Sequence, residues 1–409
     1  MNSKRAVVIG GGPAGLFAAE QLSARGHTVD LYDAMPCVAR KFLLAGIGGM
    51  NITHSESMDK FIGRYGDASD WFRPMLNSFG PKELIAWIHG LGVETIVGSS
   101  GRVFPAEMKA APLLRRWKAR LLEQGVRFHP RSRWLGWNHQ EGIAGNRCIL
   151  IESEGEISNV EYDALILSLG GGSWKKLGSD GSWVDVLREA GINIKSLAPS
   201  NIGFEVDWSD YLKERISGQP LKKVGIYFED STSKIISEVM LTEYGIEGTG
   251  IYAANKIIRE HWDNGTTLLI DFLPEQTRES IADKLTFASK KESMANKLRK
   301  LLRLNSTVVC LLNERVKLSE LNPLQIANRI KGYPIRLNNP RPIDEAISTI
   351  GGVDRDALTN GLMVNSIPGL FVAGEMIDWD APTGGYLLTG CFTTGYRTGQ
   401  AAADYLDLL

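Results

Sequence analysis

The first part of the chain alternates short apolar runs with stretches of helical apolar spacing, as far as about residue 194. Short apolar runs bounded by turn residues are typical of buried strands, and a 3.6-residue apolar period is typical of amphipathic helices. The runs at residues 6–9, 29–32 and 164–169 therefore predict strands of one parallel sheet, separated by helices. Later runs, at 134–137 and 148–152, favour a small antiparallel layer.

The middle of the chain has a different pattern. Helical spacing dominates residues 251–330 and is interrupted by one apolar strand at 268–272. Before this helical part, β-segments are predicted at 202–206, 221–228 and 234–241. A change of pattern at both edges of a segment is typical of an inserted domain.

The first pattern returns towards the C-terminus. A strand-like run at 346–350 leads to a predicted break at Gly351-Gly352, and a second buried run follows at 369–373. A final helix is predicted from about residue 386 to residue 406. The nucleotide-type domain is therefore expected to be split in sequence.

The turn after the first predicted strand is rich in glycine. Residues 10–15 read Gly-Gly-Gly-Pro-Ala-Gly and lead into a helical pattern. In a dinucleotide fold, Gly10 allows the tight turn, Gly12 lets backbone N–H groups approach a pyrophosphate, and Gly15 lets helix and strand pack closely. Asp33 ends the second predicted strand, twenty-one residues after Gly12. A carboxylate at this place accepts hydrogen bonds from an adenosine ribose.

Glycine spacing alone does not decide between a nucleotide turn and an ordinary structural turn. Glycine fills 44 of 409 positions. In a chain of this length and composition, the expected number of G-x-G-x-x-G matches by chance alone is roughly 0.5. The preceding strand, the following helix and Asp33 together favour the nucleotide turn. We predict an α/β fold with a Rossmann-type FAD-binding domain at 1–195 and 340–409, and a β-rich plus helical substrate domain at 196–339.

Composition and charge exclude several classes of protein. Hydrophobic residues make up 43% and charged residues 23% of the chain, which is ordinary for a globular protein. The net charge of −1 provides no basic field for nucleic acid or an anionic membrane, so neither partner is expected. No apolar run reaches eighteen residues, and glycines interrupt the stretch after Lys4 and Arg5 that resembles a signal peptide. We expect a cytoplasmic protein.

Cysteines and histidines give no metal or disulfide pattern. The four cysteines contain no C-x-x-C pair, and the six histidines have no paired spacing. Neither a disulfide framework nor a metal site is therefore expected. Cys391 is expected to be a small buried apolar residue in the last helix.

Four further segments resemble cofactor-binding segments of flavoproteins. Residues 40–54 follow the second strand, residues 101–105 precede a helix, and residues 162–171 form a strand that ends in glycines. Residues 371–386 resemble the terminal flavin motif. Together with the first turn, these segments are similar to the FAD-dependent oxidoreductases labelled aminoacetone-oxidase-like, a family that also contains bile-acid ring reductases. The resemblance covers essentially the whole chain.

The resemblance implies a glutathione-reductase-like fold that binds FAD non-covalently. In such a fold the first glycine turn cradles the pyrophosphate, Trp134 contacts adenine through backbone groups, and Glu375 holds the ribitol or pyrophosphate side. Residues 40–51 run along the phosphates towards the flavin. The implied cofactor-binding residues are Gly10, Gly12, Pro13, Ala14, Gly15, Asp33, Arg40, Lys41, Gly48, Asn51, Trp134, Gly170, Gly171, Gly374, Glu375, Gly384, Gly385 and Tyr386.

The implied position of the last helix has a physical consequence. Gly384 to Tyr386 place its N-terminus at the pyrimidine edge of the flavin. A helix N-terminus offers unpaired N–H groups and about half a positive charge, which stabilises an anionic reduced flavin. The alternative interpretation of Gly384-Gly385 is an ordinary loop before a helix.

The chain departs from the family pattern where catalytic residues are expected. Many members read Gly-Gly-Gly-Arg-Cys-Asn where this chain has Gly-Ile-Gly-Gly-Met-Asn at 46–51. Many carry Thr-His before a glycine where this chain has Thr-Glu-Tyr-Gly at 242–245. Catalytic residues are therefore not carried over, and the chain looks like a divergent subgroup. His54 and Tyr386 are the catalytic candidates, and a hydrogen-bonded structural role is favoured for His54.

A second glycine-rich turn at 248–253 raises the possibility of a site for NAD(P)H. Asp271 ends a later strand twenty-one residues after Gly250. Residues 242–247 separate the preceding strand from the first glycine, so a structural turn is favoured. NAD(P)H is then expected only as a transient reductant.

Three functions stay open. The first is an FAD enzyme that moves a hydride between a small organic substrate and the flavin, with O2 or NAD(P)H as the second redox partner. The second is an NAD(P)-only Rossmann dehydrogenase, which needs no C-terminal return to the cofactor. The third is a non-catalytic FAD-binding regulator.

Overall fold

The structure is a computed structural model that describes residues 4–45, 49–137, 147–231, 234–263, 265–289 and 291–409. The chain divides into two compact units. The split unit consists of Met1–Pro199 and Ile347–Leu409, and the inserted unit of Ser200–Ala346. The sequence placed the two boundaries after residues 195 and 339.

Short strands and helices alternate in the first segment of the split unit. Its strands are β1 (Arg5–Ile9), β2 (Thr28–Asp33), β3 (Thr53–His54), β4 (Thr95–Val97), β5 (Arg102–Pro105), β6 (Arg127–Pro130), β7 (Ser132–Trp137), β8 (Cys148–Ser153), β9 (Glu156–Glu161), β10 (Ala164–Leu167) and β11 (Ile194–Ser200). Its α-helices are α1 (Pro13–Ala24), α2 (Arg40–Ala45), α3 (Met58–Gly63), α4 (Ser69–Ser78), α5 (Pro81–Gly90), α6 (Ala110–Glu123) and α7 (Trp183–Glu189).

The inserted unit and the C-terminal segment follow. The strands of the inserted unit are β12 (Phe204–Glu205), β13 (Pro220–Tyr227), β14 (Ile235–Leu241), β15 (Gly245–Glu247), β16 (Thr266–Asp271) and β17 (Tyr333–Leu337). Its α-helices are α8 (Asp210–Ile216), α9 (Thr249–Glu260), α10 (Arg278–Thr286), α11 (Met294–Leu302), α12 (Ser306–Asn313) and α13 (Pro323–Lys331). The chain ends with β18 (Ser348–Val353), β19 (Leu370–Val372) and α14 (Tyr386–Asp407).

A parallel sheet forms the centre of the split unit, in the order β19-β10-β1-β2-β6. Every residue of β10 is buried, and so is every residue of β1 after Arg5. Strands buried on both faces read as continuous apolar runs, which is why these segments could be recognised from the sequence. The carboxyl ends of β1, β10 and β19 lie side by side and present their glycine-rich turns at one edge, where ligands bind in open α/β sheets.

Helix α14 crosses α1 at very short range beside this sheet. A Cβ atom added to Gly395 would lie 2.4 Å from the carbonyl oxygen of Ala14, and one added to Gly399 would lie 2.8 Å from that of Ala18. Glycine is needed at both positions because the two helix backbones come too close for a side chain. This contact fixes the N-terminal segment against the C-terminal one.

The inserted unit is built on an antiparallel sheet in the order β12-β15-β14-β13-β16-β17. Its own apolar core joins this sheet to α8–α13. The small antiparallel layer predicted from the runs at 134–137 and 148–152 is also present, as β7-β8-β9 in the split unit. The predicted architecture, a Rossmann-type parallel-sheet domain split in sequence with a β-rich plus helical insertion, is present.

The predicted break at Gly351-Gly352 is wrong, because both glycines lie inside β18. Their φ angles are +82° and +117°, and a Cβ atom on Gly351 would lie 2.2 Å from the carbonyl oxygen of Ser196. Ser196 belongs to β11, the neighbour of β18. These glycines therefore serve a close strand approach, which local sequence cannot distinguish from a turn.

The reason given against a second nucleotide site was also wrong. Strand β15 ends at Glu247, so a strand does precede Gly248 directly. A structural turn is still favoured, because β15 pairs only antiparallel within the described residues, and a Cβ atom on Gly250 would lie 2.8 Å from the carbonyl oxygen of Glu238. Asp271 is fully buried and already pairs with Lys234 and Lys331, at 2.8 Å and 2.7 Å.

Candidate functional site: a trough at the edge of the parallel sheet

The glycines of the first turn have different tasks. A Cβ atom on Gly10 would lie 2.3 Å from the carbonyl oxygen of Ser168, and one on Gly15 would lie 2.0 Å from that of Gly10. These two glycines allow the turn and the helix to pack against the sheet. A Cβ atom on Gly12 would have no neighbour within 4 Å. Gly12 is thus the glycine that faces open space.

That open space is part of a trough, a cavity at the carboxyl edge of the parallel sheet. Gly12 is the N-cap of α1 and has no side-chain cap, so the first N–H groups of the helix point there without an intrahelical partner. A helix N-terminus of this kind favours anions. The trough is lined by residues 9–14, 33–34, 39–42, 132–134, 168–170, 177–180, 182–183, 373–375 and Cys391.

Asp33 ties the glycine turn to the second strand. Its carboxylate accepts hydrogen bonds from the backbone N–H groups of Gly11 and Met35, both at 2.8 Å. Burial raises the pKa of Asp33, although these two backbone hydrogen bonds act in the opposite direction. Each carboxylate oxygen keeps a further lone pair, and Asp33 lines the trough, as the predicted ribose contact requires.

One end of the trough contains buried polar atoms without a partner. The indole Nε1 of Trp134 and the Oγ of Ser179 are buried and make no hydrogen bond to the described residues. Arg133 and Asp180, which pair at 3.0 Å, lie beside them on the lining. Buried polar groups normally have partners, so this end has hydrogen-bonding capacity for a polar ligand. The adenosine part of FAD, next to Asp33, fits this capacity.

The other end of the trough contains an ion pair that the sequence did not suggest. The ammonium group of Lys41 lies 2.9 Å from Glu375 and 2.8 Å from the hydroxyl of Ser173. The other oxygen of Glu375 accepts the N–H of Thr349 at 2.9 Å. Lys41 was expected to run along the phosphates; here its charge is already paired with Glu375. Arg40 also lines the trough, and its charge partly offsets the raised pKa of Asp33.

Of the predicted glycines in the later clusters, some line the trough and others only allow close packing. Gly170 and Gly374 have positive φ and line the trough, and the carbonyl of Gly170 accepts the indole N–H of Trp183 at 3.0 Å. Gly171 points elsewhere, because its Cβ atom would clash with Thr349 at 1.7 Å. Its role is therefore packing against β18.

Of the two cofactor-binding residues predicted in the loop after α2, the structure describes only one. Gly48 lies outside the described residues. The side-chain Oδ1 of Asn51 is buried and has no partner among the described residues. It lies two residues before β3, in the segment expected at the flavin.

The N-terminus of α14 is held against β3. A Cβ atom on Gly385 would lie 2.5 Å from the Cα of Thr53, so glycine is required there. Gly384 and Gly385 both have positive φ and lead into Tyr386, the first residue of the helix. Residues 384–386 are not among those that line the trough, to which α14 contributes Cys391. The expected contact of this helix N-terminus with the flavin therefore stays a prediction.

Tyr386 belongs to a cluster of polar groups that sequence reasoning only partly found. Its hydroxyl donates a hydrogen bond of 2.6 Å to Glu56. Glu56 also accepts two hydrogen bonds from Arg64, at 3.0 Å and 2.8 Å. Burial, followed by the hydrogen bond to Glu56, raises the pKa of Tyr386 well above its ordinary value. No motif singles out Glu56 or Arg64, because only the fold brings them to α14.

His54 has a structural environment. Its Nδ1 accepts the backbone N–H of Glu56 at 3.1 Å, and its Nε2 lies 2.9 Å from the carbonyl oxygen of Ser100, to which it donates. Its ring stacks on that of Tyr386, with centroids 5.6 Å apart. Both nitrogens are engaged, which is the hydrogen-bonded arrangement favoured from the sequence.

Cys391 lines the trough from the second turn of α14. Burial raises the pKa of its thiol to about 12, with a smaller contribution from the charge of Glu375. All four cysteines are free thiols, and Cys37 is exposed. A thiol with a raised pKa carries almost no thiolate near neutral pH and is a poor nucleophile.

We therefore expect iodoacetamide at pH 8 to alkylate Cys37 in the native protein and to leave Cys391 unmodified. Peptide mass spectrometry after a short exposure measures both sites. The Cys37→Ser variant is the control, because it removes the fast site. Rapid modification of Cys391 in native protein would contradict the raised pKa of its thiol.

Metal-ligand and membrane signals are absent from the described part of the chain. No group of three or more His, Cys, Asp or Glu side chains in it is placed to hold a metal ion. None of the helices in the described ranges is long and apolar enough to cross a membrane.

The parallel sheet, the glycine turn and the trough define a Rossmann-type FAD-binding domain. The chain belongs to the family described as HI0933-like protein Rossmann domain, which it matches over residues 4–401.

Two relatives match nearly the whole chain, and one solved structure has a similar fold. The chain is 25% identical to the 3-dehydro-bile acid delta(4,6)-reductase of Clostridium scindens, over 97% of this chain and 98% of that protein. It is 23% identical to the ribosomal RNA dihydrouridine synthase of Haemophilus influenzae, over 95% and 96%. The fold resembles the 3-ketosteroid-delta4-(5alpha)-dehydrogenase of Rhodococcus jostii, with a TM-score of 0.54, 17% identity, and coverage of 98% and 97%.

Proposed function

We propose that this protein is an FAD-dependent oxidoreductase that reduces an electron-poor carbon–carbon double bond of an organic substrate. The observation that carries the cofactor assignment is the trough, where an uncapped helix N-terminus, Asp33 and two unpartnered buried polar atoms line one cavity. Non-covalent FAD is proposed, with transient NAD(P)H as the electron source.

Different residues of the trough would bind different parts of the cofactor. The N–H groups at the start of α1 would bind the pyrophosphate, and Asp33 the adenosine ribose. Trp134 and Ser179 would donate hydrogen bonds to the adenosine end. The N-terminus of α14 would place its partial positive charge at the flavin end. Bound FAD supplies a carrier that accepts and returns a hydride.

The names of two relatives support the direction of the reaction. One relative is a delta(4,6)-reductase and the other forms dihydrouridine, so both names denote saturation of a carbon–carbon double bond. Their substrates, a bile acid and ribosomal RNA, differ greatly in size. We therefore propose the reaction class for this chain and define its substrate only as an electron-poor alkene.

The cofactor part of the proposal has a direct test. The purified protein is expected to be yellow and to release FAD, not FMN, on denaturation, because Asp33 and the glycine turn suit an ADP moiety. Chromatography of the released nucleotide measures this. Release of NAD(P) alone, or no nucleotide after reconstitution, would defeat the assignment.

The reaction class needs a redox experiment. NAD(P)H added without oxygen is expected to bleach the flavin absorption, and a conjugated enone such as cyclohexenone is expected to restore it. A flavin that NAD(P)H does not reduce would count against this electron source. A flavin that only O2 reoxidises would identify an oxidase.

We expect NAD(P)+ to bind the FAD-loaded protein only weakly. The turn at Gly248–Gly250 packs against β14, and Asp271 is occupied by two lysines. Calorimetric titration should give a dissociation constant in the high micromolar range or weaker, which is about 5–6 kcal/mol or less. A constant of about 1 µM that is lost in the Gly250→Val variant would reveal a second nucleotide site.

A further inference from the structure

A graded line of polar groups connects solvent to the start of α14. Arg64 is half exposed, the Glu56 side chain is 10% exposed, and Tyr386 is 4% exposed. Glu56 stands between the other two and is hydrogen-bonded to both. The Tyr386 ring is fixed on two sides, by His54 with centroids 5.6 Å apart and by Phe61 at 4.9 Å. The phenol therefore has one defined place.

We propose that Tyr386 is the proton donor of the reduction and that Glu56 is the residue that positions it and returns its proton. This inference rests on the proposed function, because it supplies the second half of that reaction. It concerns residues that lie together in the split unit. Neither Glu56 nor Arg64 is suggested by any sequence motif.

The proton count shows why such a donor is needed. Saturating a carbon–carbon double bond takes one hydride, which the cofactor contributes, and one proton. In our proposal the Oη–H bond of Tyr386 breaks, and a C–H bond forms at the carbon that has become negative. The electron pair stays on Oη as a phenolate. Glu56 then takes up a solvent proton, as H3O⁺, at its exposed edge and passes it to this phenolate, so that the proton consumed by the reduction comes from bulk solvent.

The charges around Tyr386 suit a donor that stays protonated until the carbanion forms. Glu56 faces the hydroxyl as a carboxylate, which the Arg64 guanidinium stabilises at 2.8 Å. Arg64 also lies over the Tyr386 ring, 5.7 Å from its centroid, and favours the phenolate left after transfer. His54 is a weaker candidate for the donor, because both of its nitrogens are engaged with backbone groups.

A comparison of two electron acceptors distinguishes an effect on proton donation from an effect on hydride transfer. An enone such as cyclohexenone needs a proton at carbon, whereas nitrocyclohexene takes the hydride to form a stable nitronate anion. FAD-loaded wild-type, Tyr386→Phe and Glu56→Gln proteins are reduced without oxygen, and flavin reoxidation is followed with each acceptor. Asp59→Asn is the matched control, because it removes a nearby carboxylate from an exposed pair with Arg73.

We expect Tyr386→Phe to slow reoxidation by cyclohexenone about 100-fold and Glu56→Gln about 10-fold, in the range of general acid catalysis. With nitrocyclohexene, the reoxidation rates of both variants should stay within about twofold of the wild-type rate. The rate of Asp59→Asn should stay within about twofold with either acceptor. Equal slowing with both acceptors, or no slowing, would overturn the proton-donor role. Wild-type protein that neither acceptor reoxidises would overturn the proposed function and this role with it.

A second measurement does not depend on turnover. Tyrosine ionisation is followed by ultraviolet difference absorption, and the Tyr386 signal is the difference between wild type and Tyr386→Phe. In Glu56→Gln this tyrosine should ionise at lower pH than in the wild type, because the acceptor carboxylate is gone. An unchanged titration in Glu56→Gln would mean that Glu56 does not hold the phenol.

Discussion

Replacing Gly12 by valine is expected to abolish FAD binding while leaving the fold intact. A Cβ atom at Gly12 has no protein neighbour within 4 Å, so a side chain can begin there without a clash with the chain itself. It fills the space in front of the uncapped N-terminus of α1, where the pyrophosphate would lie. We expect the FAD affinity to fall at least about 100-fold, or about 3 kcal/mol.

The measurement is FAD content after purification and after reconstitution, together with far-ultraviolet circular dichroism. Gly63→Val is the matched control, because Gly63 is an exposed glycine that also has no neighbour within 4 Å, at the end of α3. This control should keep its FAD. Normal FAD content in Gly12→Val would show that the turn is only structural.

Structure that is determined by neighbouring residues could be predicted from the sequence. The run Gly-Gly-Gly-Pro-Ala-Gly, with its strand and its helix, predicted the turn correctly because all of its determinants are local. The final helix was predicted for the same reason, since α14 spans Tyr386–Asp407. Signals within about 30 residues of one another predict a strand–turn–helix unit, whereas the split domain was predicted from the return of the first pattern near the C-terminus and from the family resemblance.

Contacts between distant segments were the part that could not be predicted. Lys41 pairs with Glu375, and Glu56 with Tyr386, across more than 300 positions of the chain. No spacing rule links such residues, because the sheet order and the crossing of α14 over α1 bring them together. Lys41 was assigned to the phosphates from the family resemblance, which does not show its pairing with Glu375.

The wrong prediction of a break at Gly351-Gly352 also arises from a contact between distant segments. Gly351 reads as a break, yet it lies inside β18 because β11 comes within 2.2 Å of its Cβ position. The close neighbour, Ser196, is more than 150 residues away in sequence. A glycine in a strand marks either a turn or a close approach, and only the tertiary structure distinguishes them.

Asp271→Ala should destabilise the protein strongly, although Asp271 lies outside the trough. The carboxylate of Asp271 is fully buried and meets the ammonium groups of Lys234 and Lys331 at 2.8 Å and 2.7 Å. It also accepts the N–H of Leu273 at 3.0 Å. Removing it leaves two positive charges close together without their anion, which costs about 3–5 kcal/mol in comparable buried pairs.

Urea unfolding of the FAD-loaded protein, followed by circular dichroism, measures this loss. Asp283→Ala is the matched control, because Asp283 is an exposed aspartate of α10 in the same unit. If unpaired charge is the cause, adding Lys331→Met to Asp271→Ala should restore part of the lost stability, since Lys331 is the less exposed of the two lysines. A double variant less stable than Asp271→Ala would show that lost packing, rather than charge, dominates. A single variant as stable as the wild type would mean that the two lysines reach solvent without their anion.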